Sequence, residues 1–137
     1  MVKVIYGARG AGKTKRIMNM AREELARTNG NVVFIEKDNR CMLSLPHEIR
    51  YVNASEYGVR NPDKLFGFIS GMLAANFDIT SVFLDAMPSI AGFATANDAE
   101  EFFHNLVKLT AEREVELVIS MSAVEGEVPE YLAPYLV

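Results

Sequence analysis

Hydrophobic positions fall along this chain in two alternating patterns. Short stretches at 2–6, 31–36, 79–85 and 116–122 each contain an unbroken apolar run of three or four residues and are rich in β-branched and aromatic residues. Such runs predict strands, and the absence of a regular polar alternate predicts a parallel sheet covered on both faces. Between them lie stretches with helical spacing. Residues 13–28 present Ile17, Met18, Ala21 and Leu25 as one stripe, and Asn29-Gly30 is expected to stop that helix. Asn61-Pro62-Asp63 offers a cap, a first-turn proline and a first-turn acid for another helix, which continues through Leu65, Phe66, Ile69, Met72 and Leu73. Asn97 and Glu100 have capping-box spacing and predict a third, with Phe102, Phe103, Leu106, Val107 and Leu109 on its buried side. Residues 87–95, with Pro88 and Gly92, are expected to form a loop, and 49–53 a short edge strand after Pro46. The proline-broken apolar tail at 128–136 is expected to lie against the domain or in a second subunit.

Strands alternating with helices predict an α/β fold: a three-layer α/β/α sandwich with a mainly parallel sheet, in one domain over 1–137. Right-handed crossovers would place the loops that leave the strands on one edge, where open parallel sheets bind ligands.

Composition narrows the classes. With 50% hydrophobic and 23% charged residues, the chain is expected to fold rather than remain disordered. A net charge of −4 gives no general attraction to nucleic acid or anionic membrane. No apolar run approaches the length of a membrane span. Cys41 is the sole cysteine, so no internal disulfide is possible and a reducing compartment is expected. Met1 abuts the first strand, so no signal peptide is expected ahead of it and a cytoplasmic location follows. Against the acidic balance, Lys3, Arg9, Lys13, Lys15 and Arg16 crowd the amino end, a local excess that suits an anionic ligand.

The chemistry begins there. Gly7-Ala8-Arg9-Gly10-Ala11-Gly12-Lys13-Thr14 matches G-x-x-x-x-G-K-[ST], between a predicted strand and a predicted helix. Glycines let the backbone wrap phosphate groups in conformations other residues avoid, and the N–H groups then form an anion-binding nest. The helix adds its unsatisfied N-terminal amides and the positive end of its dipole. Lys13 supplies a flexible point charge for the outer phosphates, Lys15 extends the basic set, and Thr14 offers a hydroxyl to Mg2+. The strand at 79–85 ends in Asp85, a carboxylate placed to hold that ion. Glu36, Asp38 and Arg40 leave the strand at 31–36 on the same edge. Ala86 stands where many ATPases carry a water-positioning Glu, so the base must come from elsewhere or hydrolysis is slow. Asp38 and Glu36 are the candidates. Ser120 or Ser122 would reach the outer phosphate or its water from the last strand, or serve only to finish that strand.

Gly7 to Thr14 and Val82 to Asp85 resemble the Walker A and Walker B elements of P-loop NTPases. The order of elements is similar to a minimal RecA-like core, in which a strand may lie between the two motif strands. The whole sequence also resembles a group of small ATP-binding proteins, some labelled as twitching-motility (PilT-like) ATPases. The resemblance implies binding of Mg2+ and ATP through Lys13, Thr14 and Asp85, with the catalytic acid of RecA-like ATPases falling nearest Asp38. Asp85-Ala86-Met87-Pro88 departs from the D-x-x-G of GTPases, and no N-K-x-D guanine reader occurs, which favours adenine. Three functions follow as expectations: a slow or partner-stimulated ATPase, a non-hydrolysing nucleotide sensor that binds a protein partner or a second copy, and a small-molecule kinase. A kinase would be expected to group arginines in a lid, whereas those here are scattered.

Overall fold

The computed structural model describes residues 1–123 and 128–137. Its strands are β1 (Val2–Ala8), β2 (Asn31–Glu36), β3 (Arg50–Asn53), β4 (Ile79–Leu84) and β5 (Glu116–Ala123). All five run parallel in one sheet of order β1-β5-β4-β2-β3. Parallel neighbours need crossovers, and the helices α1 (Lys13–Arg27), α2 (Pro62–Ala75), α3 (Met87–Ala91) and α4 (Glu100–Glu112) lie between strands in the sequence.

The apolar runs are explained by the two-residue period of a strand. In β2, Val32 and Phe34 point to one face and meet Ile17 and Ala21 of α1, together with Phe83 and Val118. Val33 and Ile35 point to the other and join Leu65, Ile69 and Leu73 of α2 with Phe103 and Leu106 of α4. Both faces are therefore apolar, and both are covered by helices, an arrangement compatible with three α/β/α layers. Each fully buried large side chain, such as Phe34 or Phe83, contributes on the order of 1.5–3 kcal/mol.

Several local expectations hold in detail. Asn61 caps α2, its side-chain oxygen accepting from the Lys64 amide at 2.8 Å. The stretch after Pro46 forms the edge strand β3. Others are corrected. Residues 87–91 are helical rather than loop, because Pro88 fits a first turn and Met87, Ile90 and Ala91 bury together. Asn97 and Glu100 make no capping box: a 3₁₀ turn at Ala96–Ala99 intervenes, α4 starts without a side-chain cap, and Thr95 bonds Asp98 instead at 3.2 Å. Gly30 is not a left-handed helix cap. A Cβ there would lie 2.2 Å from Thr80 Cγ2 and 2.5 Å from the Asp78 carbonyl, so close approach excludes a side chain.

The tail lies against its own domain. Tyr131 and Tyr135 meet the Phe103 ring edge-on at 5.4 and 5.2 Å, Leu132 is buried, and the Val137 amide donates to the Val4 carbonyl at 3.1 Å. The tail thus covers part of the outer edge of β1. Among the described residues, no helix is long and apolar enough to cross a membrane.

Two glycines allow a clean comparison of backbone strain. At Gly58 (φ +68°) a Cβ would meet open space, with no neighbouring atom within 4 Å, whereas at Gly92 (φ +80°) it would lie 2.6 Å from the Arg60 carbonyl. Gly58→Ala is expected to cost about 1–2 kcal/mol, the left-handed penalty alone. Gly92→Ala is expected to cost clearly more, and urea midpoints of the two variants check it; equal losses would remove the steric role of Arg60.

Candidate functional site

Strand β1 ends at Ala8, and the chain turns through residues 9–12 before entering α1 at Lys13. The turn closes with the Ala11 amide on the Ala8 carbonyl at 3.1 Å. Gly10 and Gly12 adopt φ of +82° and +84°, with open space where a Cβ would stand. Their requirement is conformational, because an L side chain is strained there. Gly7 has no such φ, and a Cβ on it would make only ordinary contacts at 3.9 Å. Helix α1 begins with no side-chain cap and no acid in its first turn, so no side chain of its own helix offsets the positive end of its dipole.

Asp85 follows β4 and is almost fully buried, at 1% exposure. It is held from two sides. Thr14, in the first turn of α1, donates its hydroxyl to Oδ2 at 3.0 Å, and Ser120 of β5 donates to Oδ1 at 2.6 Å. The Ala86 amide donates in turn to the Ser120 hydroxyl at 2.7 Å. The sheet order makes this possible: β5 lies between β1 and β4 and sets Ser120 beside Asp85. Ala86 itself sits in the left-handed region, at φ 57°. A non-glycine residue held there is strained, a cost tolerated where the surroundings over-determine the backbone.

Lys13 bends back to donate its ammonium to the Ala8 carbonyl at 2.7 Å. Burial holds its pKa below the ordinary lysine value; Asp85 acts against that and Arg9 adds to it.

A second polar cluster is centred on Glu36, whose side chain is fully buried. It accepts from Tyr51 Oη at 2.5 Å, the Cys41 amide and Sγ at 3.2 Å each, and Arg40 at 3.3 Å. Tyr51 Oη is also 2.6 Å from the Asp38 carbonyl, so one proton serves two acceptors. Asp38 turns to Arg40, accepting from its amide at 3.0 Å and its Nε at 3.1 Å. Burial would raise the Asp38 pKa, but the bonds and charge of Arg40 outweigh it and leave the carboxyl below its ordinary value.

These elements open on one cavity of about 720 Å³. Arg9, Gly10, Gly12, Lys13 and Thr14 form one wall, and Asp85, Ser120 and Ser122 lie along the strand ends. Arg40 enters from beyond β2, and Ser89, Phe93 and Thr95 come from α3 and the segment after it. Of the residues singled out in the sequence, Gly7, Ala8, Ala11 and Lys15 do not line the cavity, and neither do Glu36 and Asp38. Glu36 lies behind it, saturated with donors, and Asp38 is occupied by Arg40. Tyr51 and Cys41 carried no sequence signal as site residues. The apolar content of residues 87–95 (Met87, Ile90, Phe93) pointed to contact with a partner or with the site, and Phe93 lines the cavity. The charged run after β2 hinted that Arg40 would reach it.

Thr14 and Asp85 present oxygen donors to one point, the donor type Mg2+ requires. The carboxylate and hydroxyl that now share a proton are the pair that would share an ion.

Cys41 gives a direct check on the Glu36 cluster. Burial first, and then the Glu36 carboxylate, push its thiol up to about 12. The native state therefore retains the thiol proton where an unfolded chain loses it. The associated stability is complete below the unfolded value of about 8.5 and is lost as pH rises toward about 12. Alkylation by iodoacetamide at pH 8 is expected to be slower in the native protein than in urea by at least about tenfold. Equal rates would mean that Cys41 is not enclosed.

Neither a protein-family model nor a curated protein matches this sequence.

Proposed function

We propose that this chain is a P-loop nucleoside triphosphate-binding protein with a RecA-like core, that it binds ATP with Mg2+, and that it hydrolyses ATP slowly or when a partner stimulates it. The contact between Thr14 and Asp85 is the observation that carries this reading. It joins the end of the glycine loop to the end of an inner strand, across one cavity, with the residue types that phosphate and a hard cation need. The interposition of β5 between β1 and β4 agrees with the RecA-like arrangement.

In this reading the loop amides and the N-terminus of α1 bind the phosphate chain, and Lys13 leaves the Ala8 carbonyl to reach it. Thr14 and Asp85 would hold Mg2+, which when bound would neutralise phosphate charge. Ser120 fixes the Asp85 rotamer, so that Oδ2 remains turned to Thr14. Among the described residues Asp85 is the one carboxylate that lines the cavity. That favours slow turnover, and it also supports a second reading, a nucleotide sensor that hardly hydrolyses.

Titration calorimetry with Mg-ATP tests the proposal. Lys13→Ala is expected to weaken binding about 10- to 100-fold, the loss of a charge-assisted bond, and Mg2+ chelation should weaken it as well. Undiminished binding by Lys13→Ala would overturn the assigned phosphate contact. Phosphate release then examines the base. With Asp38 engaged by Arg40, Asp38→Asn is expected to fall well short of the roughly hundredfold loss that removal of a general base brings. A loss of that size would assign water orientation to Asp38.

A further inference from the structure

The charged turn after β2 holds a cation at the cavity in an unusual way. Arg40 is fixed along its length: its amide and Nε bond Asp38, and a terminal nitrogen bonds Glu36 at 3.3 Å. Glu36 cannot move to follow it, because Tyr51 and Cys41 also hold that carboxylate from within the core. Yet the Arg40 side chain is 63% exposed and lines the same cavity as Lys13, Thr14 and Asp85. The two side-chain bonds use two of the five N–H donors of a guanidinium. A planar fork anchored at one side and open at the other suits a phosphate group.

Charge explains why the arginine stays there. One ligand atom each from Glu36, Cys41 and Asp85 lie within 4.8 Å of one another. Two carboxylates so close, both buried, need positive charge nearby, and Arg40 supplies it from the cavity side.

Sheet order then says which part of a ligand Arg40 would meet. The glycine loop and α1 approach Asp85 from the side of β1, whereas Arg40 comes from β2, the strand on the other side of β4. A phosphate chain anchored in the loop and running across Asp85 reaches Arg40 with its outermost group.

We propose that Arg40 is the residue that contacts the terminal phosphate and distinguishes a nucleoside triphosphate from a diphosphate, with Glu36 as its fixed support. This rests on the nucleotide-binding reading given above. Glu36 and Asp38 then act as positioning residues for Arg40 and not as bases.

The test compares Mg-ADP with the Mg2+ complex of the β,γ-imido analogue of ATP, by calorimetry, in the full chain. Arg40→Ala is expected to weaken the triphosphate analogue about 10- to 100-fold while leaving ADP within about twofold. Arg40→Lys should recover part of the discrimination, since it keeps the charge but loses the fork. The ratio of the two affinities within one variant does not depend on how much of that variant is folded. Equal weakening of both ligands, or an unchanged ratio, overturns the role of Arg40 alone. Failure of the unaltered protein to bind either nucleotide overturns the nucleotide-binding reading itself, and this inference with it.

Discussion

One hydrogen bond, from the Thr14 hydroxyl to the Asp85 carboxylate at 3.0 Å, joins segments 71 residues apart and defines the centre of the site. It exists because three strand ends meet in the right order. Strand β1 delivers the glycine turn and the first turn of α1, β4 delivers Asp85, and β5 stands between them with Ser120. A carboxylate at 1% exposure must be satisfied by donors, since an unpaired buried charge costs several kcal/mol in practice. Thr14 and Ser120 supply those donors from two different elements, so the alignment of helix α1 with the sheet is coupled to the electrostatics of one side chain.

The same physical demand is met a second time at Glu36. Its donors come from a backbone amide, a thiol, a phenol and a guanidinium, all from residues between 40 and 51. Folding the chain after β2 back over the strand end is what brings them there, and the edge strand β3 contributes Tyr51. The two carboxylates form adjoining polar islands within the buried interior. Glu36, Asp85 and Ser120 gather at the ends of the strands, while Ser81 and Thr110 are buried away from that edge and most of the sheet faces are left to hydrophobic packing. This division is what an open parallel sheet imposes: its faces are covered by helices, and only the strand ends are free to carry chemistry.

Positive backbone φ recurs on that edge, although Glu114, at φ 56° just ahead of β5, adopts it at the other end of the sheet. Gly10, Gly12, Ala86 and Gly92 all adopt positive φ, and all lie in the turns that leave β1 and β4 or at the end of the short helix that follows. Three are glycines and tolerate it. Ala86 is not, and it is held by its amide on Ser120 and by its carbonyl, which accepts from the Ser89 and Ile90 amides. Position 86 therefore carries a small residue in a left-handed conformation, directly beside the proposed ion ligand.

Much was determined by residue order alone. The short apolar runs predicted strands buried on both faces, the stripe through Ile17 and Ala21 predicted a helix, and both formed; a glycine turn followed by Lys13 and Thr14 put free backbone amides and an ammonium at one strand end. These features are local: a period, a cap or a turn is specified within a few residues, as Asn61 illustrates. What tertiary structure decided was everything that depends on which distant groups become neighbours. Strand order placed Ser120 on Asp85, packing made a helix of residues 87–91, and the close approach of Thr80 explained Gly30. Glu36 and Asp38 looked alike in the sequence, two acids leaving one strand. Burial and the reach of Tyr51 and Cys41 separated them, turning one into a fixed support inside the core and the other into a surface partner of Arg40, because donor geometry and solvent access are properties of the assembled fold and of no single segment.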